Sequence, residues 1–356
     1  MILVVNAGSS NVKFAIFTAD TLLEKHRTQV DSIQQVFTWL AENPQFKITA
    51  AGHRIVHGGN KYTKPMIISE SVITELKKLI PLAPLHQPYN ILAIEKLAAE
   101  YPSIPQVVCF DTAFHATQEP IAKIFAIPKE LTTEGIIRYG FHGLSYEYIA
   151  SILTKKIGPI AQQKVIVAHL GNGASMCAML NLRSVATSMS FSALDGLMMG
   201  SRCGSIDPGV LLYLLQEKKY TTEQLVDLLY KKSGLLGVSN ISNDVRILLA
   251  SQENSAQEAI ELFCYKAAQE FAKLTVSSGG CDALVFTGGI GENAAPIRGK
   301  ICSNLVYWGI KIEQDANIAN ATLISSNDSK IKVAVVPTYE EYMIAQHVKN
   351  FLTHMH

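Results

Sequence analysis

The stretch that most constrains this chain is Val165 to Leu180, VIVAHLGNGASMCAML, because the chain opens with a similar one, MILVVNAGSSNVKFAIF, at Met1 to Phe17. In each, an apolar run (Leu3, Val4, Val5; Val165, Ile166, Val167) meets a turn of small residues, Ala7-Gly8-Ser9-Ser10 or Gly171-Asn172-Gly173-Ala174-Ser175, and a second apolar-rich run returns. A hairpin whose turn carries Gly, Ser and Asn can aim several backbone N–H groups at one point, which is how proteins cradle phosphate without side-chain charge. Two such hairpins suggest a duplicated domain with a phosphate chain held between the halves. Two ordinary hairpins are the alternative, since Gly and Ser are also the commonest turn residues.

A chain of 356 residues exceeds one comfortable core and suits two domains. Its 48% hydrophobic and 17% charged content describes a soluble globular protein. Lys and Arg number 31 against 30 Asp and Glu, so nothing points to a nucleic-acid or membrane partner. The six cysteines (109, 177, 203, 264, 281 and 302) are scattered and form no C-x-x-C pair. They fit reduced thiols and argue against a structural zinc. With no leader pattern and no apolar run of membrane-spanning length, the expected compartment is the cytoplasm.

Helices are expected over 32–43, 70–80, 90–100, 145–155, 209–216, 222–231 and 256–276, from apolar spacing and stop signals. Strands are expected over 48–59, 105–110, 282–286 and 332–336. Arg54 and His57 fall near the end of the first of these strands, and Asp111 at the end of the second, where open α/β sheets keep their ligands. Pro81, Pro84 and Pro88 predict a rigid loop holding His86. Ser184 to Pro208 predicts an irregular, Gly-rich loop. Thr287-Gly-Gly-Ile-Gly-Glu-Asn293 follows a strand and precedes a helix, the layout of a nucleotide contact. Thr338 as N-cap with Glu341 three residues on fits a capping box, which leaves Glu340 free.

Ten motifs, NAGSSNVK, GHRIVHGG, APLHQP, FDTAFH, RYGFHG, HLGNGAS, GSRCGSIDPG, SGLLGVSNISNDVR, FTGGIGEN and PTYEE, occur in the order seen in acetate kinases and the similar propionate kinases. The chain resembles that family over nearly its whole length. The resemblance implies an α/β architecture with a duplicated actin-like ATPase (ribonuclease H-like) fold. Its two domains would be residues 1–113 with 342–356, and residues 114–341, with the active site in the cleft between them. It also implies ATP or ADP with magnesium, or manganese, a homodimer, and reversible in-line phosphoryl transfer between ATP and acetate or propionate.

A carboxylate that attacks the γ-phosphorus is already anionic and needs charge neutralisation more than a base. Arginine supplies a fixed fork for that task. By resemblance, Arg54 orients the carboxylate and Arg202 braces the transferring group, while His142 and Asn172 donate to its equatorial oxygens. Val56, Leu85, His86, Phe141 and Ala193 line the acyl pocket. Asp111 acts with the metal site, whose ligands are Asn6 and Glu340, and Ser9 and Lys13 flank metal and phosphate. The nucleotide falls to Lys13, His169, Leu170, Gly171, Asn172, Gly173, Asp244, Val245, Arg246, Gly289, Ile290, Gly291 and Asn293.

The chain departs from the usual family pattern at Asn11 (commonly Ser), Tyr146 (commonly His), Tyr339 (commonly Asn) and Ala193 (commonly Pro, walling the methyl pocket). The segment between Lys13 and His53 is also shorter by about one helix. Ala193 leaves more room for the acyl group, so propionate is expected to serve comparably with acetate. A catalytically silent nucleotide-binding protein and a sugar kinase of the same fold are the competing interpretations. The phosphoryl-bracing arginine argues against the first and the apolar pocket against the second.

Overall fold

The computed structural model describes residues 1–8 and 11–354. Ser9 lies outside the described residues, so its expected place beside metal and phosphate has no structural account.

Eleven strands build two sheets: β1 Ile2–Ala7, β2 Val12–Phe17, β3 Glu24–Val30, β4 Ala50–Ile55, β5 Met66–Ile67 and β6 Gln106–Phe110, then β7 Lys164–Leu170, β8 Ala174–Leu180, β9 Arg183–Thr187, β10 Ala283–Thr287 and β11 Lys332–Val335. The first sheet runs β3-β2-β1-β4-β6-β5 and the second β11-β10-β7-β8-β9. In the first, β1, β2 and β3 form an antiparallel meander and β4 and β6 continue it in parallel. In the second, β7, β8 and β9 form the meander and β10 and β11 the parallel extension. The repeat seen in two hairpins therefore extends through five strands of each half, with β5 an added antiparallel edge.

Both central strands are covered on both faces, so they read as continuous apolar runs rather than alternating ones. Ile2 and Val4 of β1 join one core, and Leu3 and Val5 another on the opposite face. In β7, Ile166 and Ala168 split from Val165 and Val167 in the same way.

Two helices cross between the halves. Helix Gly143–Ile157 follows the first sheet in sequence but packs on the second, with Tyr146, Ile149 and Leu153 against Val165, Val167 and Val285. Helix Glu340–His354 follows the second sheet but packs on the first, with Met343, Ile344 and Val348 against Ile2 and Val4. Each half is thus closed by the helix of the other.

Several local expectations are corrected. Strand β3 was not expected, and the start of the predicted 184–208 loop is strand β9. The predicted proline loop is partly ordered: a 3-10 turn spans Ile80–Leu82, and helix Gln87–Glu100 starts three residues early with Pro88 in its first turn. Proline is tolerated there because those N–H groups have no intrahelical acceptor. The last helix begins at Glu340, so Thr338 stands two residues before it and does not cap it. Instead the Thr338 N–H donates to Glu292 Oε1 at 3.0 Å, and its hydroxyl accepts from Ser145 at 2.8 Å.

Candidate active site

Three side chains gather at the carboxyl ends of neighbouring parallel strands. Asn6 lies in β1, Arg54 in β4, and Asp111 immediately after β6. Arg54 Nε donates to both Asp111 oxygens at 3.0 Å and Nη2 to Oδ2 at 2.5 Å, while Nη1 donates to Asn6 Oδ1 at 3.2 Å. Burial opposes the charge on Arg54, but Asp111 and then Glu340 more than offset it and raise its pKa. Glu340, first residue of the last helix, joins this group from the other half of the sequence. Burial pushes its carboxyl up to about 7, with Asp111 and Glu341 adding repulsion and Arg54 and Lys13 opposing it. Lys13 is exposed on β2.

Among the described residues no cluster of three His, Cys, Asp or Glu side chains is assembled for a metal. The group does fit magnesium. Asp111, Glu340 and Asn6 offer hard oxygen donors, and this ion takes one or two carboxylates and fills its octahedron with water and phosphate.

On the second half, His142 precedes helix Gly143–Ile157 in a left-handed conformation (φ 58°). Its Nδ1 lies 2.9 Å from Ser175 Oγ, and its ring stacks on His169 at 4.4 Å. Burial, and after it His169, Arg54 and Arg202, hold its pKa well below the ordinary histidine value, so the ring is neutral. His169 is occupied separately, with Nδ1 2.8 Å from Ser145 Oγ, and burial lowers it to about 4. Arg202 Nη1 donates to the Ala193 carbonyl at 2.7 Å. Among the described residues Arg202 has no carboxylate within ion-pair distance, and burial pulls its pKa down.

These groups converge at one point. A Cβ added to Gly173 would sit 3.2 Å from His142 Nε2 and 3.4 Å from Arg202 Nη2. Glycine leaves that point open, and it lies within hydrogen-bond reach of both groups. Asn172 is fixed nearby, with Oδ1 3.4 Å from Asn243 Nδ2 and so close to Gly200 that a Cβ there would stand 2.0 Å away.

The apolar residues divide between two neighbouring places. Val56 and Phe141 are buried in one core, and Ala193 packs against it. Leu85 and His86 instead line a cavity of about 450 Å3 with Asn172 and Arg202. Burial, then Arg202 and Arg54, lower His86 to about 4. His115 holds Phe141 in place, with Nε2 2.9 Å from its carbonyl and Nδ1 2.9 Å from Ser184 Oγ.

Gly171, Asn172, Asp244, Val245, Arg246, Gly289, Ile290 and Asn293 line a second cavity of about 540 Å3, together with Asn243 and Ala294. Asp244 and Arg246 pair at 2.6 Å at its exposed rim. Leu170 and Gly291 do not line this cavity. Leu170 is fully buried, and Gly291 backs onto Ala168 and Leu170 of β7, so both carry the wall from behind. In the Gly288–Asn293 helix, Gly289 has open space in front of it.

Four supporting residues escaped sequence reasoning. Ser175 joins His142 to Tyr146, whose hydroxyl lies 2.5 Å from it. Asn90 ties the Ala7 carbonyl to the Val56 N–H, at 2.6 and 3.2 Å, and so locks the first hairpin to the loop after Arg54. Gly200 and Asn243 set Asn172. Ser175, Gly200 and Asn243 all fall inside motifs, which was the available signal, whereas Asn90 lies in none.

Comparison with known proteins agrees with this geometry. The Acetokinase family matches residues 22–346. The acetate kinase of Rhodopseudomonas palustris is 48% identical, over 98% of this chain and 97% of that protein. That of Rickettsia felis is 44% identical, over 99% of each. Among solved structures, a propionate kinase from Francisella tularensis superposes with a TM-score of 0.92 at 37% identity, covering 98% of this chain and 99% of that one. The acetate kinase of Porphyromonas gingivalis gives 0.89 at 33% identity, covering 99% of each. A duplicated α/β fold, paired arginines about a shared cleft, and relatives matched end to end agree: this chain belongs to the acetokinase family.

Proposed function

We propose that the protein is an acetate kinase that also uses propionate, transferring the γ-phosphoryl group of ATP directly to the carboxylate. The open point beside Gly173, within 3.2 Å of His142 Nε2 and 3.4 Å of Arg202 Nη2, carries this proposal. Two donors meeting where no side chain intrudes suit the equatorial oxygens of a phosphoryl group in flight.

A carboxylate oxygen forms the new P–O bond while the bond to the β-phosphate oxygen breaks, and the electron pair leaves on ADP. No proton moves, so the neutral His142 serves as a donor and not as a base. Arg54 steers the carboxylate, Arg202 and Asn172 neutralise the transferring group, and the nucleotide occupies the Asp244–Ile290 cavity. Magnesium, held by Asp111, Glu340 and Asn6, would supply charge neutralisation at the phosphates. The two domains, residues 1–113 with 342–356 and residues 114–341, close over the substrates. Helix Pro208–Gln216, which buries none of its residues and leaves Leu212 55% and Tyr213 51% exposed, supports a homodimer built on that face. The six free thiols suit the reducing cytoplasm.

The test is acyl hydroxamate formation with ATP, magnesium and each of formate, acetate, propionate and butyrate. Acetate and propionate turnover within about tenfold of each other is expected, because one methylene in an apolar pocket discriminates by only about 1–3 kcal/mol. ADP release independent of carboxylate would overturn the assignment. So would an Arg202→Ala variant that keeps its kcat, since a bracing arginine is worth roughly 10³-fold.

A further inference from the structure

We propose that Ser175, held by the Tyr146 hydroxyl, decides which nitrogen of His142 carries its proton, and so aims an N–H donor at the point beside Gly173. The catalytic consequence rests on the function proposed above; the relay itself does not.

Tyr146 and Ser175 are both fully buried. The Tyr146 hydroxyl is 2.5 Å from Ser175 Oγ, and Ser175 Oγ is 2.9 Å from His142 Nδ1. Each hydroxyl owns one proton, and leaving a buried proton without an acceptor destabilises the fold. If His142 Nδ1 were the donor, Ser175 would accept from it. Its own proton would then have to go to Tyr146, leaving the phenol proton with no acceptor among the described residues. If Tyr146 and Nδ1 both donated to Ser175, the serine proton would be stranded instead. One arrangement uses every proton: Tyr146 donates to Ser175, Ser175 donates to Nδ1, and the neutral ring carries its hydrogen on Nε2.

That nitrogen faces the Gly173 point at 3.2 Å. Burial keeps the Tyr146 phenol well above its ordinary pKa, so it stays a donor. His169 cannot compete for Ser175, because its Nδ1 is held by Ser145 and its ring only stacks on His142. Tyr146 and Ser175 are therefore positioning residues.

The tautomer of His142 is read directly from the side-chain 15N shifts of histidine-labelled full-length enzyme, with the signal identified by its loss in His142→Gln. The wild type should show Nε2–H with Nδ1 unprotonated. Ser175→Ala should shift the ring toward the Nδ1–H form and lower kcat roughly 10–100-fold, the scale for an outer partner that orients a histidine; Tyr146→Phe leaves Nδ1 as the acceptor of the Ser175 proton and should keep the Nε2–H form. KM for both substrates should barely move. A wild-type ring protonated on Nδ1 overturns the relay, as does a tautomer unchanged in Ser175→Ala. A shifted tautomer with unchanged kcat upholds the relay and instead overturns the placing of His142 on the phosphoryl group.

Discussion

Arg54 holds Asp111 by the side of its guanidinium, Nε spanning both carboxylate oxygens at 3.0 Å and Nη2 reaching Oδ2 at 2.5 Å. The partners are unequally covered, with side-chain exposure of 20% for Arg54 and 1% for Asp111. Arg54→Ala strands a buried carboxylate beside Glu340 and should cost roughly 3 kcal/mol. Asp111→Ala leaves an arginine that still has Asn6, Glu340 and water, and should cost clearly less. Urea midpoints of the two variants check the order; equal losses would show that the pair is solvated as a unit.

Gly200 is predicted to matter only through Asn172. A methyl there would stand 2.0 Å from Asn172 Oδ1, a side-chain end that can rotate away, so the fold should survive. Gly200→Ala should lower kcat by about 10²-fold or more, as loss of one donor to a developing charge does. Asn172→Ala should do the same, and the double variant should be no worse than either. Additive losses in that cycle would separate the two residues.

Burial sets how the enzyme meets acid. Folded His53, His57, His86, His115 and His169 are each lowered by burial from 6.5 to about 4. Between those values the unfolded chain binds more protons than the folded one, so this stability is complete above about pH 6.5 and lost as pH falls toward 4. Glu340, raised from 4.5 to about 7, works the other way over that interval, against these five and the likewise lowered His142. The urea midpoint should therefore fall steadily between pH 7 and 4.5. The slope should ease in His53→Gln, whose parent side chain bonds Gln106 at 2.7 Å. A midpoint that holds level would mean that these rings are protonated in place.

Ala193 presents only a methyl to the core that contains Val56 and Phe141, and its carbonyl is fastened to Arg202. Ala193→Pro refills the pocket and should raise the ratio of acetate to propionate kcat/KM by about tenfold. The bond from Arg202 goes to a carbonyl, which proline keeps, so kcat for acetate should hold. A ratio that stays put would place the chain-length filter elsewhere.

The parts of this molecule legible in its sequence are those written locally. A glycine turn between two apolar runs announces itself, and so do Arg54 and Asp111 at strand ends. Strand β3 does not, because Glu24–Val30 buries no residue fully and becomes a strand only by pairing with the edge of β2. Helix Gln87–Glu100 was misjudged at its start because Pro88 looks the same whether it breaks a helix or opens one. Within the site, the side chains that touch substrates carry their motifs with them. Their supports do not: Tyr146, Ser175 and His142 meet across 29 and 33 residues of chain, and no periodicity encodes that.

The exchanged closing helices bear on how the chain is made. Ile2 and Val4 find Ile344 and Val348 only after the strands of the second sheet, which lie between them in sequence, have been made. One face of the first sheet must therefore wait, uncovered, while the second sheet is synthesised, and the helix that closes it arrives only afterwards. Neither half can be excised and expected to fold, and a nascent chain still lacking helix Glu340–His354 exposes the apolar face that holds Ile2 and Val4.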